Sequence, residues 1–81
     1  MKDTENKLRE AFIDALGIKK DQIADELAYQ GIPEWDSRAH MALIAILEQE
    51  FEIMLDTDDI LGMSSFKIAR ETLQKHGVEF A

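Results

Sequence analysis

The segment from about Ser37 to Phe51 constrains this chain more than any other. Ala39, Leu43, Ile44, Ile46, Leu47 and Phe51 recur at helical spacing and form a wide apolar stripe, with His40 on its edge. A helix this apolar must be covered on more than one side. Ala42 and Ala45 are small, so neighbouring elements can approach closely there. The chain has 81 residues in which to build that cover. Such a length supports one domain, spanning 1–81, and a modest core. A chain of this size hides only roughly 60–65% of the surface its unfolded form exposes. A deep active site assembled from many segments is not expected.

The covering elements follow from periodicity and punctuation. Leu8, Ala11, Phe12, Ala15 and Leu16 predict a helix over about 4–16, capped by Asp3 or Thr4 and stopped by Gly17. The pattern then breaks from Ile18 to Asp36. Gly31 and Pro33 forbid a continuous helix there, although Asp21 to Ala28 can make a short helical turn. Ile18, Ile23, Leu27, Ile32 and Trp35 are expected to pin this long connection onto the helices. Loops of this length in a compact domain tend to carry function. The second helix is predicted over 37–51, with Glu52 to Leu55 briefly extending it. Asp56 or Thr57 then caps a one-turn helix over 58–61, closed by Gly62. Ser64 or Ser65 caps a last helix over 65–76, with Phe66, Ala69, Arg70 and Leu73 at three- and four-residue steps and Gly77 as its stop. The expected fold is all-α: a small bundle of three main helices plus one short helix, with a long first loop.

Composition enters through what it excludes. There is no cysteine, so disulfides, thiolate zinc sites and a thiol nucleophile are absent. No run of about 18 apolar residues occurs, so no membrane-spanning helix is expected. The start, Met1 to Lys7, is polar and acid-containing, unlike a signal or transit peptide, and a cytoplasmic location is expected. A hydrophobic content of 46% disfavours disorder. The net charge of −8 disfavours nucleic acid and anionic lipid as partners. The acidity is concentrated. Residues 21–66 hold eleven acids and a single base, Arg38. Two readings stand open: a solvated acidic surface, or a face that docks basic partners.

Several constellations resolve to ordinary roles. Asp56 to Gly62 resembles a calcium loop but fails on count, because Ile60, Leu61 and Lys67 occupy positions that need an oxygen ligand, glycine and glutamate. No resident metal site is expected. Ser37 and His40, three apart, can face each other on one helix, yet no glycine-rich turn offers an oxyanion hole. No catalytic residue is assigned. His76 suits a helix C-terminus. Trp35 is expected to close the core beside a helix start. Met41, Met54 and Met63 read mainly as core filling rather than as a soft binding surface. Asp36 and Ser37 at the mouth of the second helix are first of all caps. A helix N-terminus also favours a nearby phosphate by roughly 0.3–1 kcal/mol, so a serine there is placed to carry a phosphodiester. Asp36 opposes a phosphate by charge and suits instead a metal ion brought by a modifying enzyme.

The run Trp35-Asp36-Ser37-Arg38-Ala39-His40 through Glu48-Gln49-Glu50-Phe51 resembles the recognition helix of acyl carrier proteins, the phosphopantetheine-binding carrier domains. The acidic Asp56 to Asp59 loop, Ile60 and the Ser64 to Leu73 segment continue the match, which covers about 8–73. The resemblance implies an acyl-carrier-like bundle with Ser37 esterified by a 4′-phosphopantetheine arm, transferred from coenzyme A by a phosphopantetheinyl transferase. The thiol of the arm would hold an acyl or aminoacyl cargo as a thioester. Asp36 matches the family aspartate that helps place the magnesium ion of the modifying enzyme. The protein would catalyse nothing itself. It would present cargo, as a monomer, to loading and transferring enzymes with basic docking surfaces, in fatty-acid, polyketide or related specialised biosynthesis. Arg38, Met41, Glu48, Asp58 and Asp59 are the expected docking residues. Arg38 departs from the family, which usually has leucine after the serine. Its charge argues against standard fatty-acid enzymes as partners, and Trp35 likewise points to a specialised pathway. Ala42, Ala45 and Ile60 are expected to line a cavity that takes a short acyl chain. The competing reading is a cofactor-free acidic helical adaptor; a small enzyme using His40 and nearby acids is the remote one.

Overall fold

The computed structural model of the chain describes residues 2–80, and side chains from Thr4 to Phe80. The elements are α1 (Lys2–Leu16), a 3₁₀ turn (Lys20–Gln22), α2 (Ser37–Phe51), α3 (Thr57–Gly62) and α4 (Phe66–Lys75). No strand occurs among the described residues; one isolated bridge joins Ala28 to Ser65. The fold is a small all-α bundle of three main helices and one short one.

Local chemistry explains the boundaries. Helix α1 begins at Lys2, so Asp3 and Thr4 lie inside its first turn and neither is the cap expected there. It ends where Gly17 adopts φ +68, a left-handed conformation, and donates its N–H to the Ile13 carbonyl at 2.8 Å. Helix α3 starts because the Asp56 carboxylate accepts from the Asp59 N–H at 2.8 Å. Helix α4 starts because the Ser65 hydroxyl accepts from the Ile68 N–H at 3.1 Å. The stretch after α2 does not extend the helix. Glu52 turns left-handed at φ 55, and both it and Ile53 bond back to the Glu48 carbonyl. The helical turn expected within Asp21 to Ala28 is a shorter 3₁₀ turn that starts one residue earlier.

The core has an aromatic centre. Phe12 of α1 meets Trp35 edge-on at 5.2 Å and Phe66 at 5.0 Å. Leu8, Leu43, Leu47, Met63, Ala69 and Leu73 close around them, all fully or almost fully buried. The long connection is pinned as its apolar residues predict, with Ile18, Ile23, Leu27 and Trp35 buried. Backbone bonds tie it further: Tyr29 N–H donates to the Ser64 carbonyl at 2.9 Å and Phe66 N–H to the Leu27 carbonyl at 2.8 Å. A connection that satisfies its polar backbone against another segment can run over the core without an unpaired-group penalty.

A polar clamp closes the other side of Phe66. Arg9 and Arg70 flank its ring at 5.2 and 5.1 Å. Glu5 accepts from both guanidiniums, at 3.0 Å from Arg9 and 3.1–3.2 Å from Arg70, and Asp25 accepts from Arg70 at 3.2 Å. The Glu5 hydrogen bonds hold the Arg70 pKa above its usual value, with Asp25 adding to the effect. The clamp therefore ties α1, the long connection and α4 together. Of the three methionines read mainly as core filling, Met63 is in the core. Met41 and Met54 are 56% and 82% exposed, because each falls on the outer side of its segment.

Candidate functional site

The site is built on the start of α2. Trp35 is fully buried, and its indole N–H donates to His40 Nδ1 at 3.0 Å. Because an indole nitrogen only donates, Nδ1 of His40 must be the acceptor. The ring proton is then on Nε2, which donates to the Ile60 carbonyl at 2.8 Å. The Asp36 carboxylate accepts from the Ala39 N–H at 2.9 Å, and His40 N–H bonds the Asp36 carbonyl at 2.8 Å. Trp35, Asp36 and His40 around Ser37 are therefore fixed by burial or by a hydrogen bond, while Arg38 beside it is exposed. Ser37 itself is the first residue of the helix. It is exposed, and its hydroxyl makes no hydrogen bond among the described residues.

This geometry decides what the serine can do. Both His40 nitrogens are committed, one to Trp35 and one to Ile60, so Ser37 has no general base from that ring. The pair that spacing placed on one helix is divided: His40 is turned inward and Ser37 outward. Ser37 is an accessible, unactivated hydroxyl on a rigid turn. That suits a residue on which another enzyme acts, rather than one that attacks a substrate by itself. A phosphodiester on it meets no steric bar here, since the hydroxyl faces solvent at a helix N-terminus. Asp36, the cap, is also exposed.

The five expected docking residues do not behave alike. Arg38, Met41 and Asp58 are exposed. Glu48 is half-buried, and its carboxylate accepts from the Leu55 N–H at 3.0 Å, so it closes the turn after α2. Asp59 corrects the expectation outright. Its side chain is only 4% exposed and is held at 2.6 Å by both the Lys75 ammonium and His76 Nε2. These bonds, led by that to Lys75, hold the Asp59 carboxyl well below the usual carboxylate range and raise the Lys75 pKa. Asp59 fastens α3 to the end of α4 and is withdrawn from any partner. His76, expected only to suit a helix terminus, is the second half of that fastening. Spacing gives no sign that Asp59 points inward, and its partners lie 16 and 17 residues away.

The expected acyl cavity is also corrected. Ala42 and Ala45 are exposed on the outer side of α2 and line nothing between helices. A surface groove of about 430 Å³ lies instead between α1 and α2, lined by residues that include Ala11, Ile46, Lys7, Glu10, Asp14 and Glu50. No group of three or more histidine, aspartate or glutamate side chains converges as a metal site among the described residues. No helix among them is long and apolar enough to cross a membrane. A scan against protein-family models finds no match to this chain, and a search of curated proteins finds no relative.

Proposed function

We propose that this chain is an acyl carrier protein: a non-catalytic carrier that accepts a 4′-phosphopantetheine arm on Ser37 and presents a thioester-bound acyl or aminoacyl cargo to other enzymes. One observation carries the reading. Ser37 presents an unengaged hydroxyl on a turn where Trp35, Asp36 and His40 are locked and only the Arg38 side chain beside it is also free. Fixing the neighbours and freeing the hydroxyl gives a modifying enzyme a rigid acceptor to grip. When bound, the arm supplies the thiol that a cysteine-free chain lacks. Asp36 keeps one carboxylate oxygen free of the cap bond, so it can help place a metal ion carried by the transferase. The Asp-Ser start, the Glu48-to-Phe51 end of the same helix and the order of elements support the family assignment through resemblance.

The test is direct. Incubation of the purified chain with coenzyme A, magnesium and a broad-specificity phosphopantetheinyl transferase should add the mass of one pantetheine phosphate. Ser37→Ala should add none, while leaving thermal stability within about 0.5 kcal/mol, since the hydroxyl is exposed and unbonded. An unchanged mass for the unsubstituted chain sinks the proposal. The cofactor-free adaptor reading predicts instead that Ser37→Ala changes nothing measurable in the host.

A further inference from the structure

The outer face of α2 is not acidic. Beyond Ser37, its exposed positions up to Ala45 are Arg38, Met41, Ala42 and Ala45; Gln49 and the carboxylate Glu50 are exposed only in the last turn. No carboxylate occurs between Ser37 and Glu48, and Glu48 is turned to the Leu55 N–H. The His40–Ile60 bond holds α3 against this end of the helix, next to which Leu61 stands 77% exposed. Met41 and Leu61 are two of only three large apolar side chains left open among the described residues. Arg38 makes no ion pair or hydrogen bond there, whereas Arg9, Arg70 and Lys75 are each paired with a carboxylate. The rim around this face, by contrast, carries the exposed carboxylates Glu34, Asp36 and Asp58.

Resting on the reading of Ser37 as the attachment point, we infer that the enzyme handling the loaded arm docks here through an apolar surface carrying an acidic side chain opposite Arg38. Methionine adapts to an apolar partner of varied shape. A lone cation on an apolar strip, bordered by carboxylates, admits an acid at one position and repels it elsewhere. The charge pattern thus sets register as well as partner choice. A partner with a uniformly basic docking surface meets Arg38 as a like charge at the centre of the contact. The surface selects against such enzymes and for one with a carboxylate at that point.

A photo-cross-linking amino acid placed at Met41, in the chain expressed in its own host, tests this. Intact mass first reports whether Ser37 carries the arm. An unmodified serine would remove both the carrier reading and this inference. With the arm present, Met41 should cross-link to one enzyme. Arg38→Glu should lower that yield roughly tenfold, and Arg38→Lys should keep it within about threefold. Replacing the partner's facing carboxylate with lysine should restore the yield of Arg38→Glu. If the arm is present and Met41 captures nothing, or the yield is unchanged or raised by Arg38→Glu, the inference is overturned while the carrier reading stands.

Discussion

Arg70 and Arg38 mark two regions of this molecule that treat the same chemistry in opposite ways. On the α1–α4 side, Arg70 meets two carboxylates and lies against the Phe66 ring, and nearly every large apolar residue is covered. On the outer face of α2, Arg38 meets none, and Met41 is left open beside it. The first region spends its charges on internal closure. The second holds a serine, a cation and apolar side chains free on a backbone that the buried Trp35 keeps still. The difference separates what stabilises this chain from what it has available for others.

That contrast predicts a graded set of responses. The largest belongs to Trp35, which anchors the free face from beneath. Trp35→Ala should cost about 3–5 kcal/mol through lost packing and the unpaired His40 Nδ1. That is a large share of the about 4–12 kcal/mol expected for a domain this size. A loss of unfolding free energy below about 1 kcal/mol in denaturant titration would show that the turn bearing Ser37 is not held by Trp35.

The Asp59 fastening should respond to pH. Its folded pKa lies below the ordinary value of 3.8, so its contribution is present above that value and is lost as pH falls beneath it. The Lys75 pKa is raised above 10.5, so its share is present below that value and is lost as pH rises past it. Asp59→Asn should therefore lower the melting temperature at neutral pH. The gap between the two proteins should close below pH 3.8. A gap that widens in acid would mean the carboxylate is not the charged partner in that cluster.

The smallest effect sharpens the comparison itself. Arg70→Ala should cost about 1–2 kcal/mol, discounted because the Arg70 side chain is 22% exposed and Glu5 30% exposed. Arg38→Ala should change stability by less than about 0.5 kcal/mol. Equal costs measured by thermal unfolding would remove the distinction between closure and availability.

Much of this architecture is legible along the chain. The apolar stripe of α2, the glycine at position 17 and the caps Asp56 and Ser65 are local signals, and local signals place helices. Trp35 beside a helix start reads as core, and it is. The site is legible only in part. Spacing puts Ser37 and His40 on one helix but cannot say that Trp35 and Ile60 claim the histidine. Counting acids places Asp58 and Asp59 side by side, yet one is exposed and the other is buried against Lys75 and His76. Small size suggested that Ala42 and Ala45 face a neighbour. In fact, the buried arc of α2 is carried by His40, Leu43, Ile44 and Leu47, which leaves both alanines outside.

The sequence by itself determined where helices form, which residues are too apolar to stay in water and how much acid the chain carries. These depend on neighbours within a few residues and on composition. Only the tertiary structure decided which charges are used up. Ion pairs such as Glu5 to Arg70 and Asp59 to Lys75 join residues far apart in the chain, and their existence depends on the packing of α1, α3 and α4. That pairing leaves on α2 a free hydroxyl, a free arginine and an open methionine, the groups on which the proposed carrier role rests.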